Sequence, residues 1–214
     1  MRMKVIARNA SAEIEEKKSR FIADVAIVRS EKEAQDFIAS VKKRYWDCRH
    51  HCTAYVIGKN GEISRCTDDG EPAGTAGRPI LELINSYELI NVCIVVSRYF
   101  GGTLLGTGGL VRAYGLAAKR GIEEAGILEA QNGKLIRVST SYDSAEKIRR
   151  AHLSYESDAE YGEQVTLTYY VPGSDIESFA KTVTEVTLGK AELNIERDAA
   201  FALNNGKIVE LSID

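Results

Sequence analysis

Residues 95–114 have the sequence VVSRYFGGTLLGTGGLVRAY, and they join a predicted strand to a predicted helix. The apolar run at residues 92–96 is typical of a buried strand, and a helical period of apolar residues begins at Leu110. Between them lie five glycines within nine residues, namely Gly101, Gly102, Gly106, Gly108 and Gly109. A strand, a glycine loop and a helix N-terminus in this order direct backbone N–H groups at a bound anion. The stretch therefore predicts an anion-binding loop.

The glycine loop lacks the specific phosphate-binding motifs. No Gly-Lys-Ser/Thr sequence is present in it, and the dinucleotide fingerprint breaks off after Gly106 and Gly108. Two interpretations stay open: a general anion-binding loop, or glycines that let a helix pack closely on a sheet. Arg98 at the strand end and Arg112 in the first turns of the helix favour a ligand, because guanidinium groups bind phosphate through paired N–H donors.

Composition and charge are those of a globular protein with two domains. The chain has 214 residues, of which 44% are hydrophobic and 28% charged, and its net charge is −3. Residues 1–132 carry a net charge of +2 and residues 133–214 carry −5. This balance excludes a protein that coats nucleic acid by bulk charge, although it allows a local basic cleft.

Neither a membrane span nor a secretory signal is expected. No apolar run approaches the roughly 20 residues that a transmembrane helix needs, and the first 20 residues alternate with charges. The four cysteines all lie in the first half of the chain, where we expect free thiols rather than disulfides. A cytoplasmic location is therefore expected.

A Cys/His-rich segment enters a predicted strand at residues 47–58. Cys48, His50, His51 and Cys52 are zinc-ligand types, but in an extended segment the two cysteines are about 13 Å apart. A second Cys/His pair is also missing, apart from the lone Cys66. The pattern favours a polar strand end that faces a cleft, with a histidine available for hydrogen bonding or acid–base chemistry. No metal site is expected.

Residues 67–79, TDDGEPAGTAGRP, have turn chemistry throughout. Asp68, Asp69 and Glu71 are candidate Mg²⁺ ligands, but the favoured interpretation is carboxylates that cap turns and pair with Arg65 or Arg78. A loop of this length inside a compact domain is more often functional than not.

The second half predicts a ferredoxin-like domain. Gln131–Gly133 is a turn signal at the point where the charge balance changes, which predicts domains at residues 1–131 and 132–214. Beyond it, the patterns predict the order βαββαβ, with capping residues at 143–146 and 174–177. No cluster of chemically reactive residues is seen there.

Three motifs together identify a family resemblance. DCRHHCTAY (residues 47–55), DDGEPAGTAGRP (68–79) and SRYFGGTLLGTGGLVRAY (97–114) closely resemble the IMPACT/YigZ family, and KSRF (18–21) fits its N-terminal signature. The resemblance implies an α+β protein. Its N-terminal α/β domain would be like domain four of elongation factor G and a ribosomal small-subunit protein, and its C-terminal domain would be ferredoxin-like.

The resemblance also implies a link to translation. Eukaryotic relatives regulate translation by blocking activation of an amino-acid-starvation kinase, and nucleic-acid or ribosome binding is the common inference for bacterial members. Because this chain lacks the extra N-terminal domain of the eukaryotic proteins, we do not expect the kinase pathway to carry over to it.

Three functional hypotheses follow from the residues and the resemblance. The favoured one is a non-catalytic, translation-associated regulator that binds RNA or a ribonucleoprotein surface without a cofactor. Its alternatives are an enzyme acting on a small phosphorylated or nucleotide ligand, with His50 or His51 as acid–base, and a purely protein-binding regulator. The sequence does not predict an oligomeric state.

The predicted ligand-binding residues come from all three motifs. Phe100 joins them as a ring that stacks on bases, and Arg49 as a further phosphate contact. The candidates are His50, Asp69, Glu71, Arg78, Arg98, Tyr99, Gly101, Gly102, Gly106, Gly108, Gly109 and Arg112.

Overall fold

The computed structural model describes residues 3–151 and 155–211, and it has the expected α+β architecture with two compact units. The described residues up to Glu129 form the first unit, and those from Ala130 onward form the second. Within the described residues, no helix is long and apolar enough to cross a membrane.

The first unit is built on a five-stranded antiparallel sheet with the order β2-β3-β6-β4-β5. A further strand, β1, pairs with β7, the strand that leads into the second unit. The elements are β1 (Met3–Ile6), β2 (Ala10–Glu16), β3 (Ser19–Ile27), α1 (Glu31–Arg44), β4 (His50–Ile57), β5 (Ile63–Thr67), α2 (Gly77–Ser86), β6 (Val92–Tyr99), α3 (Thr107–Ala125) and β7 (Ile127–Thr140).

Helices cover both faces of this sheet. On one face, Val41 of α1 packs in an apolar cluster with Cys93 and Val95 of β6. On the other face α3 lies so close that a Cβ atom at Gly121 would be 2.7 Å from Cγ2 of Val25. Because successive strand residues point to opposite faces, β6 is buried on both sides, as its apolar run predicts.

The helix starts agree with the sequence in one case and differ in another. Ser30 caps α1, because its Oγ accepts a hydrogen bond from the Glu33 amide at 3.2 Å, as the capping-box spacing predicts. Helix α3 begins at Thr107, earlier than the predicted Leu110, after Gly106 at a φ of 72°. Gly108 and Gly109 therefore belong to the first helical turn.

The second unit has the predicted ferredoxin-like order followed by one more strand. Its sheet order, β11-β10-β7-β9-β8, is antiparallel throughout. One apolar cluster joins the two helices to the sheet through Ile148 and Phe179. The elements after β7 are α4 (Tyr142–Arg150), β8 (Glu156–Tyr161), β9 (Val165–Pro172), α5 (Ile176–Thr187), β10 (Glu192–Asn204) and β11 (Lys207–Leu211).

The predicted turn at Gln131–Gly133 is wrong, because β7 continues through these residues. Gly133 lies between two neighbouring strands, opposite Pro172 on β9 and Ala199 on β10. A Cβ atom at Gly133 would lie 2.8 Å from the Val171 carbonyl carbon. The glycine thus serves a close approach of backbones, which a turn signal in the sequence resembles.

Both predicted helix caps in the second unit are also wrong in detail. The first helix is capped by Ser141, whose Oγ accepts from the Ser144 amide at 3.3 Å, instead of by Asp143. Before α5, residues 173–175 form a 3₁₀ turn, so the Ser174 capping box does not form. Gly189 does close α5, at a φ of 71°, and its amide donates to the Thr184 carbonyl at 2.8 Å.

Candidate functional site

The three motifs meet at one edge of the first sheet, which is formed by the ends of the inner strands β3, β4 and β6. In the strand register, Arg98 of β6 lies between Phe21 of β3 and His50 of β4. Residues 68–76 approach the same edge, because Cys52 Sγ donates to the Asp68 carbonyl at 3.0 Å. The tertiary structure therefore brings together residues that are 16 to 77 positions apart in the chain.

Arg98 and Glu71 form a buried ion pair at this edge. Arg98 Nη1 lies 2.6 Å from Glu71 Oε1, and the two side chains are only 7% and 4% exposed. Tyr114 Oη donates to the same carboxylate oxygen at 2.8 Å. Arg98, which the sequence suggests as a phosphate ligand, thus has a carboxylate partner from its own chain.

Two neighbours of this ion pair, Cys52 and Tyr114, keep their protons at neutral pH. Burial raises the pKa of the Cys52 thiol to about 12, with nearby carboxylates adding to the effect of burial. Burial also raises the pKa of Tyr114 far above its ordinary value, and its ring meets Phe21 edge-on at 5.1 Å. Because a catalytic thiol needs a depressed pKa, these surroundings suit Cys52 to packing rather than to nucleophilic attack.

The carboxylate of Asp68 organises the turn loop. It accepts hydrogen bonds from the amides of Gly74 at 2.8 Å, Ala76 at 3.0 Å and Gly77 at 2.8 Å. Burial opposes its ionisation, but these three N–H donors prevail and lower the pKa of Asp68. Since α2 starts at Gly77, Asp68 caps this helix from outside it, in agreement with the interpretation of turn-capping carboxylates.

The expected partners of the loop carboxylates are wrong. Arg78 pairs with Glu82 at 2.8 Å, one helical turn further along α2. Arg65 lies 4.0 Å from Glu31. Asp69 pairs instead with Lys42, at 3.2 Å. Glu71 pairs with Arg98. The real partners come from other elements, where sequence proximity gives no guide.

The two adjacent histidines have opposite environments. His50 Nδ1 lies 2.9 Å from the Asp69 carbonyl oxygen, which can only accept, so this nitrogen carries the hydrogen. His51 is buried, with Nδ1 at 2.8 Å from Ser97 Oγ, and burial lowers its pKa although the Asp69 carboxylate opposes this. Of the two histidines, His50 is the one that lines the neighbouring open cleft.

An open cleft of about 460 Å³ lies next to the ion pair. Phe100 and Leu104, at its mouth, are 57% and 83% exposed. The Arg98 guanidinium lies between two rings, 5.4 Å from the centroid of Phe21 and 5.6 Å from that of Phe100. The lining residues are Asp47, Cys48, Arg49, His50, Arg98, Tyr99, Phe100 and Leu104.

Tyr99 is a fixed wall of this cleft. Its Oη donates to Asp47 Oδ1 at 2.7 Å, and the Arg20 guanidinium lies 5.3 Å from its ring centroid. Burial, together with the Asp47 carboxylate, raises the pKa of Tyr99 to about 12, so the hydroxyl keeps its proton at neutral pH. Contacts within the protein therefore hold the Tyr99 side chain in place.

The glycines of the predicted anion-binding loop have different surroundings. Gly101 packs on the backbone of Lys18, and its amide donates to Ser19 Oγ at 3.1 Å, which fits the close-packing interpretation. Gly102 and Gly106 have φ angles of 80° and 72° with open space beside them.

Arg112 does not line the larger cleft. It lines a second groove of about 230 Å³, together with Glu16, Lys17, Leu105, Gly109, Ala113 and Leu116.

Asp47 and Leu104 are cleft residues that the sequence did not single out. Asp47 opens the first motif, but a single acid three residues before His50 carries no specific signal. Leu104 is an apolar residue inside a glycine loop, and this is the one hint that it is held at a surface. The sequence indicated a functional place for Tyr114 only because it is the last residue of the third motif.

Comparison with known proteins identifies the family. A family model described as the Impact N-terminal domain matches residues 17–122, and one described as a domain of unknown function (DUF1949) matches residues 141–190. The Bacillus subtilis (strain 168) protein called IMPACT family member YvyE is 41% identical over 184 residues, which cover 85% of each chain. The chain belongs to the IMPACT family. Asp47 to Leu104 all lie within the match to the Impact N-terminal domain.

Two further similarities cover different shares of the chain. The Escherichia coli (strain K12) IMPACT family member YigZ is 48% identical over 101 residues, which are 46% of this chain and 50% of that one. A solved structure described only as that of a hypothetical protein is 29% identical, covers 92% of this chain and 98% of its own, and has a TM-score of 0.59. The latter shares the fold over nearly the whole chain.

Proposed function

We propose that this protein is a cytoplasmic, non-catalytic regulator associated with translation, and that it binds RNA, free or in a ribonucleoprotein, through the cleft of its first unit. The observation that carries the proposal is the composition of that cleft. Basic side chains and an exposed aromatic ring share one open space of about 460 Å³. Membership of the IMPACT family supports the link to translation that the resemblance implies.

Charge and stacking are both available in the cleft. Arg49 is exposed in the cleft, and because Arg98 is already paired with Glu71, Arg49 is the cation that is available to a phosphate. Phe100 is 57% exposed, although Arg98 covers part of one face. Proteins that bind single strands combine these two features, because cations attract phosphates and aromatic rings stack on bases.

The residues suited to catalysis are occupied by structural roles. His51 is buried against Ser97, and the Cys52 thiol has a pKa of about 12. Asp68 is engaged by three backbone amides, and Glu71 by Arg98 and Tyr114. These contacts favour a binding protein over the alternative of an enzyme that uses these groups.

RNA binding is tested by fluorescence anisotropy with a labelled single-stranded oligonucleotide. Phe100→Ala should weaken binding about tenfold, since one stacked base contributes roughly 1–3 kcal/mol. Arg49→Ala should weaken binding and reduce the slope of log K against log salt by about 1. Arg78→Ala is the matched control, because Arg78 is exposed, pairs with Glu82 and does not line the cleft.

The control separates the cleft from the rest of the surface. If Arg78→Ala weakens binding as much as Arg49→Ala does, the cleft is not the binding site. If the unmodified protein fails to bind RNA at about 50 mM salt, where phosphate contacts are strongest, the proposed function is wrong.

A further inference from the structure

The cleft contains a fixed carboxylate among its cations. Asp47 is exposed and lines the cleft, and among the described residues no Lys, Arg or His side chain pairs with it within 4.0 Å. Its Oδ1 accepts the hydrogen bond from Tyr99 Oη at 2.7 Å. A carboxylate repels phosphate, so Asp47 suits a different part of a nucleotide.

The bond from Tyr99 orients this carboxylate. The Tyr99 ring is itself held, because it belongs to β6 and carries the Arg20 guanidinium 5.3 Å from its centroid. Each carboxylate oxygen accepts two hydrogen bonds, so Asp47 keeps both oxygens available to a ligand while Oδ1 binds Tyr99. The result is a preorganised acceptor pair that cannot donate.

A carboxylate discriminates among the four RNA bases. Guanine has two neighbouring donors on its Watson–Crick edge, the ring N1–H and the exocyclic N2 amino group. Adenine and cytosine have an amino group beside a ring nitrogen that accepts, and uracil has one N–H between two carbonyls. Only guanine therefore offers two donors to an acceptor-only group without placing an acceptor against it.

The neighbouring residues fit the remaining parts of such a nucleotide. Phe100 has an exposed ring face on which a base can stack, and Arg49 is exposed and suited to the phosphate. In a duplex the Watson–Crick edge of guanine is already paired, so Asp47 can reach it only in a single strand.

We propose that the cleft selects an unpaired guanine in RNA, with Asp47 accepting from N1–H and N2–H, Phe100 stacking on the base and Tyr99 holding Asp47 in place. This inference rests on the proposed RNA-binding function and adds base specificity to it. Asp47 is the specificity-determining residue, and Tyr99 is a positioning residue.

The test uses the full chain and four oligouridylates that differ at one central position, which is guanine, adenine, cytosine or hypoxanthine. Guanine should bind about tenfold tighter than adenine or cytosine, as expected for one bidentate contact. Hypoxanthine keeps N1–H but lacks the N2 amino group, so its affinity should be intermediate. The ratio of guanine to adenine affinity is the readout.

Variants assign this ratio to the cleft. Asp47→Asn places an amide N–H where an acceptor is needed, so it should reduce the ratio to about 1. Tyr99→Phe should lower the ratio in part, because Asp47 loses its anchor. Asp36→Asn is the matched control, since Asp36 is an exposed acid on α1 that does not line the cleft, and it should keep the full ratio.

The outcomes distinguish the two proposals. Equal affinity for all four oligonucleotides, with binding intact, overturns the guanine inference and leaves RNA binding in place. A higher overall affinity of Asp47→Asn with an unchanged guanine-to-adenine ratio also overturns it, because Asp47 then acts only through its charge. Absence of binding to every oligonucleotide overturns the proposed function itself.

Discussion

Arg98 Nη1 of β6 and Glu71 Oε1 of the turn loop are 2.6 Å apart, and both side chains are almost completely buried. Tyr114 of α3 donates to the same oxygen, so one carboxylate links a strand, a loop and a helix. Because Arg98 also lines the candidate cleft, the contact holds one of the lining side chains in place.

Removing one charge of this pair should be strongly destabilising. Glu71→Gln leaves the Arg98 guanidinium buried without a counter-charge, so we expect a loss of about 3–5 kcal/mol in the free energy of unfolding. Adding Arg98→Met should recover much of this loss, because an apolar side chain has no desolvation cost. Urea unfolding followed by circular dichroism measures both.

An exposed ion pair of similar length is the control for this prediction. Arg78 and Glu82 lie 2.8 Å apart on the surface of α2, and Arg78→Ala should cost less than about 1 kcal/mol. Equal losses for Glu71→Gln and Arg78→Ala would contradict the view that burial makes the Arg98 pair important.

Gly101 and Gly108 should respond in opposite ways to alanine. A Cβ atom at Gly101 would collide with the backbone of Lys18 and Ser19, whereas a Cβ atom at Gly108 meets nothing within 4 Å. Gly101→Ala should therefore lower the melting temperature clearly. Gly108→Ala lies in the first turn of α3 and should be neutral or stabilising by up to about 1 kcal/mol. A melting temperature that stays unchanged in Gly101→Ala would refute this account of the loop.

Stability should fall in mild acid because of His51. Burial lowers the pKa of His51 in the folded protein below its ordinary value of 6.5, so the unfolded chain takes up a proton first as the pH falls. Its contribution to stability is therefore complete above pH 6.5 and is lost progressively below it. His51→Asn keeps a polar group near Ser97 but cannot titrate. Unfolding free energies at pH 7.5 and pH 5.5 should differ less in this variant than in the unmodified protein, and an equal difference would exclude His51 as the source.

The cysteines should differ sharply in their reactivity. Cys66 is exposed, whereas Cys52 and Cys93 are buried and burial raises the pKa of each thiol to about 12. Cys48 is half-buried, and its pKa is also raised by burial. In the native protein, brief treatment with N-ethylmaleimide should modify Cys66 alone, and all four thiols should react in urea. Rapid native labelling of Cys52, located by mass spectrometry, would show that the site opens.

Most individual elements could be predicted from local patterns. The apolar run of β6, the period of α1 with its Ser30 cap and the order of strands and helices in the second half all depend on neighbours within a few residues. Errors arose where one local signal has two physical causes. Gln131–Gly133 resembles a turn, but the glycine there lets three strands approach one another.

The sequence by itself determined the family, the α+β class and the three motifs that surround the site, because each depends on residues close together in the chain. Only the tertiary structure decided how the motif residues are used. Arg98 is paired with Glu71, His50 and His51 face different surroundings, and Asp47 is held at an open cleft by Tyr99. These contacts join residues up to 52 positions apart. Which charges meet, and which are left facing solvent, depends on how the strands align, and no local pattern contains that information.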